Sequence, residues 1–230
     1  MGPEPEQAAV GILRQMGARV GTRSLIAGKN VTAVLKSTLQ RISKAGLLRD
    51  PEDLRMNLYL MRHADAGVPR DNPKLDAKRG LIKEGKEQCM LMARMLSALK
   101  VQVDVIASSP LKRALQTAQF VGTELGYEAN VEVSSALGPE GDFVAFQKLV
   151  GKYADREGVL IVGHNPNLFK FLGRIITGNG GAGVRMRKGS VARIDMDRHP
   201  PLLQWLVDPR MARWIYASVA KSSRPKTSRK

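Results

Sequence analysis

From about Asn57 onward, apolar positions come in short runs separated by polar stretches that carry Gly and Pro. Leu58-Tyr59-Leu60-Met61 is apolar throughout and bounded by charge, which predicts a buried strand. Val103 to Ala107 and Val159 to Val162 predict two more, and Val131-Glu132-Val133 a short one. Between these runs the period changes. Met90, Leu91, Ala93, Met95 and Leu96 suit one face of a helix over 83–99, with Glu84 and Glu87 in its first turns, where the helix dipole favours acids. A second helix is expected from Pro110 to about Leu125, because Pro suits a first helical turn and Ser108 and Ser109 can cap it. Two further helices are expected over 143–153 and 167–176, and late strands over 190–195 and 203–207. Residues 67–82 read as a loop, and Gly178 to Gly183 as a flexible turn. Buried strands alternating with helices predict a three-layer α/β/α fold with a mostly parallel central sheet. In such sheets ligands bind beyond the carboxyl ends of the strands.

Upstream, Val31, Val34, Leu35, Leu39 and Ile42 fall at helical spacing behind Asn30, a candidate cap, and Gly46 is a plausible stop. Asp50-Pro51-Glu52-Asp53 reads as a linker. The chain therefore divides into a basic, partly helical extension (1–55), a body (56–208) and a basic tail (209–230), with Lys221 to Lys230 reading as disordered.

Charge sharpens that division. The net charge is +16. From Gln7 to Arg49 there are eight Lys/Arg and no acid, and after Asp208 seven Lys/Arg and no acid. The body, 50–208, carries 22 basic and 19 acidic residues, so the excess belongs to the ends. Stretch 7–49 has the basic, acid-free character of an organelle presequence, but Glu4 and Glu6 at the start speak against that reading. No run reaches the roughly 18–20 apolar residues of a membrane span, and no secretory h-region is present, so a cytoplasmic protein is expected. The single cysteine, Cys89, excludes an intrachain disulfide and reads as a buried packing residue.

Three strand ends deliver polar groups to one sheet edge: Arg62 and His63, then Ser108 with Arg113 one turn into the next helix, then His164 with Asn165. Any one of these is commonplace alone. Together, two His and two Arg at one edge form a site for a dianion. Guanidinium forks match phosphate oxygens, a helix N-terminus adds oriented N–H groups, and an imidazole beside the phosphate can attack phosphorus.

These residues stand in recognisable motifs. Leu60-Met61-Arg62-His63-Ala64-Asp65-Ala66, Ser108 to Ala118 and Val162-Gly163-His164-Asn165-Pro166 resemble, in order, three signatures of the histidine phosphatase superfamily. Asp76 to Gly85 resembles a fourth element of its SixA-type phosphohistidine phosphatases, with Gly80 where that family usually has Pro. The resemblance covers about 57–207 and implies a phosphoglycerate mutase-like fold. It implies His63 as nucleophile, with Arg62, Arg113 and His164 as the phosphate pocket, Arg79 as a further basic residue beside it, and no metal or cofactor. Ser108 and Asn165 are further candidates for substrate contact. The general acid is less evident. Ala136 to Asp142 is similar to the compact SixA-type segment, which makes Asp142 a candidate proton donor, although it also suits the cap of the helix at 143.

The leading expectation is a phosphatase acting on a phosphohistidine-bearing protein through a covalent phosphohistidine. The short interval between the second and third signatures leaves little material for a cap over the site. The alternative is a small-molecule phosphomonoesterase of the same superfamily. A third reading gives the basic ends a weak contact with a polyanion or an anionic membrane surface. Specific nucleic-acid binding is not expected, because no aromatic-rich basic patch is present.

Overall fold

A computed structural model describes residues 56–179 and 182–222 of the chain, with side chains as far as 218. The expected helix at 31–45, the linker at 50–53 and the end of the tail lie outside the described residues.

The central sheet has six strands in the order β3-β2-β4-β1-β5-β6. These are β1 (Asn57–Arg62), β2 (Val105–Ser108), β3 (Glu132–Val133), β4 (Gly158–Gly163), β5 (Val191–Asp195) and β6 (Leu202–Val207). The first four run parallel, and β5 and β6 run antiparallel to β1 and to each other. The three central parallel strands are almost wholly buried, as continuous apolar runs require when both sheet faces are covered.

Strand alternation sorts the side chains into two cores. Tyr59, Met61, Ile106, Leu160 and Val162 face one way, against Cys89, Met92, Ala93 and Leu96 of helix α2 (Lys83–Ala98) and Ala114, Ala118 and Val121 of α3 (Lys112–Glu124). Leu58, Leu60, Val105, Ala107, Val159 and Ile161 face the other way, against Phe146 and Val150 of α4 (Phe143–Gly151) and Leu168, Leu172 and Ile175 of α5 (Asn167–Thr177). The fold is the expected α/β/α sandwich. Cys89 is fully buried in the first core, and burial pushes its thiol up to about 12, which leaves it unreactive at neutral pH.

Three local expectations change. Helix α3 begins at Lys112 rather than Pro110, with Leu111 at the cap position; Pro110 belongs to the turn, where Ser109 Oγ accepts the N–H of Leu111 at 3.3 Å. The loop 67–82 contains a short helix, α1 (Pro73–Ala77), because Asn72 caps it through the N–H groups of Lys74 and Leu75. The body does not stop at 208. Asp208 caps a further helix, α6 (Pro209–Ser222), by accepting the N–H groups of Arg210 and Met211. Ala212 of α6 is fully buried in the first core, and Tyr216 packs against it. Among the described residues, no helix is long and apolar enough to cross a membrane.

Candidate active site

Register places the site. Arg62 at the end of β1 pairs with Gly163 at the end of β4, and Ser108 at the end of β2 pairs with Val162. The next residues, His63, His164 and Ser109, therefore emerge together at one sheet edge. The backbone ties them there: His63 N–H donates to Gly163 O at 3.1 Å and Ser109 N–H to Val162 O at 3.0 Å. The rings of His63 and His164 lie 4.9 Å apart, tilted by 53°. Ser109 Oγ is 2.8 Å from His164 Nε2.

The guanidinium groups are each anchored. Arg113, on the first turn of α3, donates from Nη1 to the main-chain oxygen and to Oδ2 of Asp76, both at 3.0 Å. Arg79 donates from Nε to the other carboxylate oxygen of Asp76 at 2.8 Å, and from Nη1 to Ala66 O at 2.8 Å and Gly67 O at 3.2 Å. Asp76 is thus a two-sided clamp on two arginines of the site. Arg62 donates from Nη1 to Met186 O at 2.9 Å, and Asn165 donates from Nδ2 to the same oxygen at 2.9 Å.

Electrostatics favour neutral imidazoles among cations. His63 Nδ1 lies 2.8 Å from Ala64 O, which can only accept, so the proton sits on Nδ1 and Nε2 carries the lone pair. Burial pushes His63 down to about 4; the bond to Ala64 opposes this, and Arg113, Arg62 and Arg79 add to it. Burial, then the proximity of His63, Arg113 and Arg62, pushes His164 down to about 3. Burial also lowers Arg62 and Arg113 from their ordinary value, though guanidinium groups stay cationic at neutral pH. The hydrogen bond from Arg79, then the N–H of Arg70, holds the Asp76 carboxyl at about 2.

Among the described residues, five buried side-chain atoms have no hydrogen-bond partner: Arg62 Nε, Arg113 Nε, His164 Nδ1, Asn165 Oδ1 and Ser190 Oγ. Four belong to the residues just placed. Three of the four are ring or guanidinium nitrogens, suited to an anion's oxygens.

The sequence candidates fare differently. Arg62, His63, Arg79, Arg113, His164 and Asn165 converge. Ser108 does not contribute its hydroxyl: it is fully buried and donates to Ser109 O at 3.0 Å, and the neighbouring Ser109 contacts His164 instead. Asp142 is exposed and caps α4, accepting the N–H of Ala145 at 2.7 Å. Among the described residues, no hydrogen bond links it to the histidines or arginines of the site. Its loop is tied to the start of α5, because Asn167 donates to the carbonyls of Gly138, Pro139 and Gly141. Three contributors were not singled out beforehand: the Asp76 clamp, the Met186 carbonyl and the Ser109 hydroxyl. Among the described residues, no group of three or more His, Cys, Asp or Glu side chains is placed to hold a metal ion.

Two neutral imidazoles flanked by anchored arginines lie at the carboxyl ends of parallel strands, an arrangement chemically suited to phosphoryl transfer. Comparison with known proteins agrees. Residues 58–138 match the family model of the histidine phosphatase superfamily (branch 1). Over 117 residues the chain is 34% identical to the phosphohistidine phosphatase SixA of Escherichia coli, covering 48% of this chain and 68% of that protein. Over 139 residues it is 31% identical to an uncharacterized protein of a Picosynechococcus strain, covering 59% and 82% respectively. The solved structure of a protein histidine phosphatase SixA complexed with tungstate superposes with a TM-score of 0.59 at 26% identity, covering 67% of this chain and 98% of that one. The chain belongs to the histidine phosphatase superfamily and is a phosphatase. Within the superfamily it is of the SixA type.

Proposed function

We propose that this phosphatase removes the phosphoryl group from phosphohistidine on a partner protein, through a covalent intermediate on His63. The observation that carries the mechanism is the His63 Nδ1 to Ala64 O bond, which aims the Nε2 lone pair outward from a buried, neutral ring. Arg62 and Arg113 receive the phosphoryl oxygens, with His164 Nδ1 as a further contact and Arg79 behind. Nε2 of His63 attacks phosphorus while the bond from phosphorus to the substrate imidazole breaks, and the departing nitrogen takes a proton. Water then attacks the phosphorylated His63, releasing orthophosphate and restoring the neutral ring. Charge stabilisation by fixed arginines supplies most of what such a transfer needs.

Two features support a protein-borne phosphoramidate. Its leaving nitrogen accepts a proton readily from solvent, so the reaction tolerates a site whose candidate acid, Asp142, is occupied as a helix cap. The interval between β2 and β4 holds only α3, β3, one 3₁₀ turn and α4, so no inserted domain from that interval covers the site. The relatives named phosphohistidine phosphatase, and the tetrahedral oxyanion bound by one of them, agree with this reading. Rates on a phosphohistidine protein beside a panel of sugar phosphates and nucleotides test it. Faster turnover of the esters would replace it with the small-molecule reading.

A further inference from the structure

Beside the catalytic residues lies a cavity of about 300 Å³ that shares Arg62 with them. Its other cations are Arg185, Arg187, Lys188 and Arg210. Two of these are matched: Arg187 Nε is 3.3 Å from Asp208 and Lys188 Nζ is 2.8 Å from Asp65. Arg185 and Arg210 are exposed and make no ion pair among the described residues. The cavity wall is therefore strongly positive without a catalytic use for most of that charge.

The wall is also fixed with respect to the nucleophile. Gly189, at φ +77°, donates its N–H to Arg62 O at 3.1 Å and to His63 O at 3.2 Å. Ser190 O accepts the N–H of Arg62 at 3.0 Å, and Met186 O accepts from the Arg62 and Asn165 side chains. A side chain at position 189 would also meet Pro209 Cγ at 2.9 Å, so the segment 186–190 and the start of α6 close on each other. Helix stability does not explain Arg210. It occupies the first turn of α6, where the helix dipole disfavours a cation. The cavity is at the small end of ligand pockets, which run roughly 300–1,000 Å³. It suits a few side chains, not a folded element.

We propose that this cavity receives carboxylate side chains that flank the phosphohistidine of the substrate protein, with Arg185 and Arg210 reading them. This rests on the phosphohistidine reading above. A phosphoryl group held by Arg62 places its neighbouring residues over the cavity, and guanidinium forks match carboxylates.

The test uses the full chain, two phosphohistidine peptides alike except for acidic or neutral flanks, phosphoramidate, which has no flanks, and a mono- and a bisphosphorylated sugar as phosphate esters. The wild-type protein should prefer the acidic peptide by about tenfold in kcat/KM, chiefly through KM, and added salt should erode the preference. The double variant Arg185→Glu, Arg210→Glu should lose that preference while its turnover of phosphoramidate is unchanged. Equal rates on the two peptides, or a preference that survives in the double variant, would overturn the inference while leaving the phosphohistidine reading standing. A double variant impaired only on a bisphosphorylated small molecule would assign the cavity to a second phosphate instead. Hydrolysis of phosphate esters without turnover of phosphoramidate or either peptide would remove both readings together.

Discussion

Replacing Asp76 by asparagine removes the charge that clamps two arginines while keeping the side chain's size. One oxygen of Asp76 accepts from Arg79 at 2.8 Å and from the backbone of Arg70 at 3.0 Å; the other accepts from Arg113 at 3.0 Å. If the amide oxygen stays with Arg79 and Arg70, the amide nitrogen faces Arg113 Nη1, donor against donor. The main-chain oxygen of Asp76 still holds Arg113, so one of two anchors is lost. A hydrogen bond to a charged group contributes about 1.5–3 kcal/mol, so stability should fall by about 2 kcal/mol. For a body of this size that lowers Tm by roughly 4–8 °C.

The second consequence of Asp76→Asn has the opposite sign. A phosphoryl group on the far side of the Arg113 guanidinium lies roughly 6–7 Å from the carboxylate, and at an effective dielectric of ~20 the repulsion is about 2–3 kcal/mol per unit charge. Its removal strengthens ground-state binding by as much as the loosened arginine weakens it. The transition state has no such compensation, because a displacement of about 1 Å in a charge-stabilising group costs on the order of 10²-fold. We expect kcat to fall about 10–100-fold with KM unchanged or lower. Steady-state kinetics on a phosphohistidine peptide, with a thermal melt beside it, read both effects. An unchanged kcat, or a rise in KM alone, would refute the clamp.

Acid should destabilise the fold through the histidine pair. His63 and His164 titrate near 4 and near 3 when folded and near the ordinary 6.5 when unfolded, so the unfolded state binds more protons below 6.5. Their contribution is complete above that pH and is lost as pH falls toward 4 and 3. By pH 5 the loss is about 2 kcal/mol per histidine, visible as a falling urea midpoint that flattens in His63→Gln; a flat wild-type profile would contradict it. Gly85→Ala should lower stability by about 3 kcal/mol or more, because a Cβ there collides with the Asp65 carbonyl two residues past His63; an unchanged Tm would show the packing to be looser than described. Asp142→Ala should lose about 1 kcal/mol of cap energy and Asp142→Asn should recover it. Phosphohistidine turnover by Asp142→Asn should stay within about twofold of wild type, and a loss of 10²-fold or more with Tm intact would assign the proton donor to Asp142.

The sheet and the corners of the site were legible because they depend on local pattern. Runs such as Val159 to Val162 are apolar on both faces and end at charge or glycine, and the candidate site residues simply follow them. What was not legible depends on pairing across the chain. The Asp76 clamp joins residues 37 apart, and the Met186 contact uses a carbonyl, which every residue has. Ser108 and Ser109 differ by one step of strand alternation, and only the register with β4 decides which hydroxyl reaches His164. Helix α6 was hidden by composition: Arg210 and Arg213 read as part of a basic tail, although Ala212 between them is a core residue.

Trapping the phosphoenzyme tests the central claim most directly. After rapid quenching during turnover of a phosphohistidine substrate, the phosphoryl group should be found on Nε2 of His63 by mass spectrometry and phosphorus NMR. The His63→Ala variant should show neither the adduct nor turnover. A His63→Ala protein that hydrolyses substrate at the wild-type rate, or an adduct on another residue, would contradict it.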